Sequence, residues 1–100
     1  MIRPGDVVPR CDSDHELYVL VLSNSIHLAA GTGRVVACPF IPGPIPEAEM
    51  AMVVEVGQPD GVVLPELVQW LPAVALDESI GNVGVERLAQ ARAIVSALIS

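Results

Sequence analysis

The chain has 100 residues, 52% of them apolar, and a net charge of −7; it has no lysine, and its cations are Arg3, Arg10, Arg34, Arg87 and Arg92. Nucleic-acid affinity rests largely on Lys and Arg neutralising phosphates, so general nucleic-acid binding is disfavoured, as is an anionic membrane surface. Folding buries only roughly two-thirds of the unfolded surface of a chain this short, which points to one domain over residues 1–100 with a partner subunit covering some of the rest.

No apolar run follows Arg3, so no secretory leader is read and a cytoplasmic protein is expected. Pro4-Gly5 is a turn signal, and Asp6 to Arg10 follows as a short extended piece. Cys11 to Glu16 is polar and predicts a hairpin loop. Leu17 to Leu22 is apolar on both faces, as a central strand requires, and is far too short to span a bilayer. Ser23-Asn24-Ser25 ends it, and Ile26 to Ala30 predicts a helical turn closed by Gly31-Thr32-Gly33. Arg34 to Ile41 is the next strand; Pro39 removes a ladder donor and places it at an edge or a bulge.

Three prolines in Pro42-Gly43-Pro44-Ile45-Pro46 make a stiff extended loop. Ala51 to Val56 is a strand, Gln58-Pro59-Asp60-Gly61 a turn, and Val62-Val63-Leu64 the start of another strand. Leu67 to Leu71 fits either a strand or a short helical turn, and Ala73 to Leu76 a last strand. After Gly81-Asn82-Val83-Gly84, the residues Val85, Leu88, Ala91, Val95 and Leu98 recur at helical spacing and predict one helix packed on the sheet. Short strands followed by one helix make a mainly β protein, a small barrel capped by a C-terminal helix.

The ordered set of segments resembles the MazF/PemK toxin family, whose SH3-like barrel is shared with CcdB. Pro4-Gly5-Asp6-Val7-Val8 is similar to the family's opening, Leu20-Val21-Leu22-Ser23-Asn24 to its second strand and Val36-Ala37-Cys38-Pro39 to its third. Asp60-Gly61-Val62-Val63-Leu64 is similar to its Asp-Gly turn with the following strand, and Gly81-Asn82-Val83 with Glu86-Arg87-Leu88 to its lead into the last helix. The resemblance implies a type II toxin, a homodimer that cuts single-stranded RNA without metal or other cofactor, the RNA 2′-hydroxyl attacking the phosphate. It also implies a cognate antitoxin whose tail blocks the site. The match breaks at the chemistry: the family's catalytic arginine falls on Leu17 and its threonine or serine on Ile41, neither of which carries charge or donates a hydrogen bond. The chain also lacks the C-terminal tryptophan of the CcdB mechanism; Trp70 lies elsewhere.

Arg10 and His15 are the residues able to supply what Leu17 and Ile41 cannot, Arg10 by holding a phosphate and His15 as a cation or acid–base group. They sit with Asp12, Asp14 and Glu16 in a stretch that reads equally as an ordinary solvated loop. Asp12, Ser23, Asn24, Ser25, His27 and Pro42 are candidates for an RNA or antitoxin groove; Ser23 to Ser25 fit helix capping at least as well. Cys11, His15 and His27 match no strong metal pattern, so no metal is expected, and the two cysteines make no disulfide framework. Trp70, Tyr18, Phe40 and Met52 are expected in the core or on a partner patch. Three functions remain open: a ribonuclease rebuilt around Arg10 and His15, a toxin fold that grips a protein partner, or an unrelated small barrel used for assembly. Because like charges repel, a toxin at −7 is expected to prefer a neutral, apolar or basic antitoxin tail.

Overall fold

The structure, a computed structural model, describes residues 2–43 and 53–99. The apolar runs near the N-terminus form β1 (Asp6–Pro9), β2 (Tyr18–Val21) and β3 (Arg34–Pro42), joined as an antiparallel meander. Asn24 caps the short α1 (Ser25–Ala29) between β2 and β3, its Oδ1 accepting the His27 N–H at 2.8 Å, as the Ser-Asn-Ser signal led us to expect. β4 (Val54–Gly57) and β5 (Asp60–Val63) form a hairpin whose turn is Gln58-Pro59 alone. Asp60 and Gly61 therefore belong to the strand rather than the turn. Ala51, Met52 and Pro44 to Pro46, read above as strand start, core and stiff loop, lie outside the described residues.

β3 is a central strand. One edge pairs with β2; the other is shared between β6 (Gln69–Pro72) at its start and β5 at its end. Pro39 sits where β5 leaves and a 3-10 turn, Pro65–Leu67, leads to β6. The Pro39 carbonyl accepts the Leu64 N–H at 3.0 Å, and at this break no neighbouring strand requires the donor proline lacks. Pro39 therefore lies in a central strand with an unbroken register to β2, and not at the edge or bulge expected from its missing donor. Leu67 to Leu71 holds both alternatives in sequence, turn and then strand. Ala73–Ala75 is a second 3-10 turn instead of a last strand.

Beyond it the chain crosses to the free edge of β1. Ala75 O accepts the Cys11 N–H at 2.8 Å, Asp77 N–H donates to Pro9 O at 2.9 Å, and β7 (Gly81–Asn82) pairs with Asp6 and Val7. The stretch from β6 to β7 thus touches β3 at one end and β1 at the other, closing the sheet into a small barrel. Side chains alternate between two cores. Val7, Leu20, Cys38, Phe40 and Val63 face α2 (Gly84–Ile99), while Val8, Val19, Val21, Val35, Ala37 and Leu71 fill the opposite side. Burying each such Val or Leu is worth roughly 1.5–3 kcal/mol.

The helix buries Leu88 and Ala91 and leans Ile94 and Val95 on the core; Val85 and Leu98, expected in the stripe, are 87% and 46% exposed. Its entry is tied to the N-terminus. Buried Asp6 accepts the Arg3 N–H at 2.8 Å and Asn82 Nδ2–H at 2.9 Å, and Asn82 Oδ1 accepts the Gly84 N–H at 2.8 Å. Trp70 is 62% exposed, so it is not core; Phe40 is buried and Tyr18 partly so. Cys38 lies in the core, whereas exposed Cys11 rests its Sγ 3.3 Å from Val74 O.

Candidate functional site

The strand registers bring one group of predicted residues together. Arg10 N–H donates to Leu17 O at 2.8 Å, extending the β1–β2 pairing, and the β2–β3 register, which ends with Tyr18 opposite Phe40, brings Leu17 level with Ile41 when continued by one residue. Facing residues on neighbouring strands project to the same side, with Cβ atoms roughly 4.5–5.5 Å apart. Arg10, just past β1, Leu17, just before β2, and Ile41 in β3 therefore continue one row at the end of the three strands. Leu17 and Ile41 are 41% and 37% exposed, an open apolar pair beside one cation. Pro42 follows at the exposed end of β3.

The guanidinium in that row is engaged. Arg10 Nε donates to Asp12 Oδ1 at 2.9 Å and Nη2 to Asp12 Oδ2 at 2.8 Å, a bidentate fork. That hydrogen bonding holds the Asp12 carboxyl below the usual range and raises Arg10 further. His15 is exposed, with its backbone N–H on Ser13 Oγ at 3.1 Å; Asp14 and Glu16 are exposed as well.

The other groove candidates lie at the far end of β2, roughly 20 Å away at about 3.3 Å per residue, so they do not join Arg10, Asp12 and Pro42 in one cluster. There the strand ends in a bulge, Leu22 N–H and Ser23 N–H both donating to Val36 O at 2.8 and 3.2 Å. Buried Ser23 Oγ accepts the Val36 N–H at 2.8 Å and shares a 2.7 Å hydrogen bond with His27 Nδ1. The His27 ring meets Trp70 edge-on, with centroids 5.4 Å apart. Ser25 opens α1 and is exposed.

Two neighbours here were not anticipated. Arg92 donates from Nε to Leu22 O at 3.0 Å, leaving Nη2 buried with no partner among the described residues, and Trp70 walls the same cavity of about 350 Å³ with Val95 and Ile99. The signal for Arg92 was its spacing: with Leu88, Val95 and Ile99 it falls in one helical row, so it belonged to the sheet-facing side despite its charge. Among the described residues no group of three or more His, Cys, Asp or Glu side chains is placed to hold a metal ion, and no helix is long and apolar enough to cross a membrane.

Comparison with known proteins adds the decisive observation. Residues 5–98 match the family described as type II toxin–antitoxin system toxin Rv0299. The chain belongs to this toxin family. Toxin Rv0299 of Mycobacterium tuberculosis strain H37Rv is 61% identical to it over 99 residues, 99% of each chain. The toxin fold recurs in the crystal structure of MazE-MazF (Form-II) from Deinococcus radiodurans, at a TM-score of 0.80 and 21% identity, covering 99% of this chain and 95% of that one. It recurs too in an endoribonuclease in complex with its cognate antitoxin from a mycobacterial species, at a TM-score of 0.79 and 17% identity, covering 97% and 93%. At these identities the likeness establishes the barrel and its helix. The family assignment makes the chain the toxin component of a type II toxin–antitoxin system.

Proposed function

We propose that this toxin works in the cytoplasm as a homodimer that inhibits growth by cutting single-stranded RNA, and that its cognate protein antitoxin neutralises it. The observation that carries the reading is the hydrogen bond that sets Arg10 across from Leu17, one residue beyond the Tyr18–Phe40 pair and so beside Ile41. A cation thus returns to the row where the resemblance to MazF loses its arginine and its hydroxyl donor. In the reaction the RNA 2′-oxygen bonds to the adjacent phosphorus, the bond from phosphorus to the 5′-oxygen breaks, and the 2′-hydroxyl proton leaves as the departing oxygen gains one. Arg10 holds the phosphate oxygens and stabilises the charge that gathers on them, and His15 moves the protons. The exposed apolar pair offers base-stacking area without hydrogen bonds. Exposed Trp70 and Ile99, flanking one cavity, suit burial against a second copy.

Asp12 competes with RNA for the Arg10 fork. Purified toxin incubated with defined single-stranded RNA should yield discrete new 5′ ends; Arg10→Gln should lose roughly 10²-fold or more in rate, while Asp12→Asn should bind RNA more tightly than the unaltered toxin. Cleavage by Arg10→Gln at the unaltered rate would refute the assignment.

A further inference from the structure

Arg92 carries a charge that nothing around it compensates. Its Nε donates to Leu22 O at 3.0 Å, Nη2 is buried with no partner, and Nη1 bonds nothing among the described residues. Its neighbours one helical turn away are Leu88, Ala89, Val95 and Ser96, none of them acidic. Two cavities border the side chain, and no Asp or Glu lines either of them, although the chain has 12 acidic residues. A buried donor without a partner costs free energy, which an incoming acceptor recovers.

The cavity of about 350 Å³ that Arg92 shares with Trp70 is walled by Val95 and Ile99 on the helix side and by Leu22 and Val36 on the strand side. Trp70 is exposed, so core packing does not use up its ring. The polar groups of α1 and its cap are left as donors. Ser23 Oγ accepts the Val36 N–H and, being buried, needs an acceptor for its own proton; His27 Nδ1 at 2.7 Å is that acceptor, which leaves the ring N–H on Nε2. Asn24 Oδ1 is taken by the His27 N–H, which leaves its Nδ2–H groups.

We propose that this cavity binds a small aromatic monocarboxylate, its carboxylate on the free Nη edge of Arg92 and its ring against Trp70. The planar guanidinium edge matches a carboxylate bidentately, and the apolar walls and the indole suit a flat ring. The cavity holds one permanent cation in a chain of net charge −7, so a single negative charge is balanced and a second is repelled. Its volume lies at the small end of the ligand-pocket range, roughly 300–1,000 Å³, and suits a ligand of one ring. Because Nη2 is buried, the ligand enters the cavity instead of lying across its mouth. A second copy covering Trp70 and Ile99 would close over it. The site is at the end of β2 remote from Arg10, so this inference can fail without touching RNA cleavage there.

The test titrates phenylacetate into the full-length toxin, followed by NMR of the backbone and indole N–H groups and by the fluorescence of Trp70, the single tryptophan of the chain. Saturable shifts are expected at Trp70, Ser23 and Val36. Phenylacetamide, which keeps the shape without the charge, and acetate, which lacks the ring, should each bind at least about tenfold more weakly. Arg92→Lys keeps the charge but loses the planar edge and should weaken phenylacetate roughly three- to tenfold. Trp70→Leu, at an exposed position where folding is not at stake, should do the same. Arg87→Gln, on an exposed α2 residue that bonds only Gln90 among the described residues, should change nothing. Matching thermal melts would show that the variants are folded. Absence of saturable binding would overturn the proposal, as would phenylacetamide binding as tightly as phenylacetate or an unaltered affinity in Trp70→Leu. Phenyl phosphate binding tenfold more tightly than phenylacetate would overturn it too, since the site would then serve phosphate.

Discussion

Gly57 and Gly61 lie in one hairpin and behave differently in the structure. A Cβ built on Gly61 would stand 2.5 Å from Phe40 Cζ and 2.6 Å from the Ile41 carbonyl oxygen. Phe40 is 3% exposed and packed in the core under α2, and a strand carbonyl is not a flexible side-chain tip. Gly61→Ala must therefore push β5 away from β3. Overpacking of this kind costs about 1–3 kcal/mol. For a domain of this size each kcal/mol moves Tm by roughly 4–8 °C, so the melt should fall by about 4–24 °C. At Gly57 a Cβ meets nothing within 4 Å and φ is not positive, so Gly57→Ala should be neutral or stabilise by up to about 1 kcal/mol, chiefly by restricting the unfolded chain. Circular dichroism melts of both variants check this. If Gly61→Ala melts within 2 °C of the unaltered protein, or the two variants shift alike, the close approach of β5 to Phe40 is wrong (the ~2 °C bound is the usual small-effect range for surface changes).

Ser23→Ala removes the acceptor of the Val36 N–H at the β2 bulge and frees His27 Nδ1, so stability should drop by about 1–3 kcal/mol in urea unfolding, whereas Ser25→Ala should change little. The two thiols should separate kinetically: exposed Cys11 reacts with a disulfide reagent at pH 8, while burial pushes Cys38 up to about 12, keeps it protonated, and delays its reaction until denaturant is added. Equal rates for both in the native protein would contradict the placement of Cys38.

Local order was legible along the chain, because apolar alternation, turn residues and helix periodicity follow from backbone geometry within a few residues. The two-sided apolar run Leu17–Leu22 announced the central strand found at Tyr18–Val21, Asn24 a cap, and the stripe Val85, Leu88, Ala91, Val95 and Leu98 a helix of which Leu88 and Ala91 are buried. Pairing across the sheet was not legible, since it depends on register between segments far apart in sequence. Pro39 became a central-strand residue only because β5 and β6 part beside it, and Gly61 left the turn for the strand because Gln58-Pro59 alone closes the hairpin. The candidate site divided in the same way. Sequence singled out Arg10 and Asp12, two residues apart and joined by a local fork, but the row that sets Arg10 beside Leu17 and Ile41 exists only once β1, β2 and β3 are aligned. Arg92 at the Leu22 carbonyl and the cavity it shares with Trp70 arise from contacts that no local pattern encodes, because the barrel closes through one stretch reaching from β3 to β1.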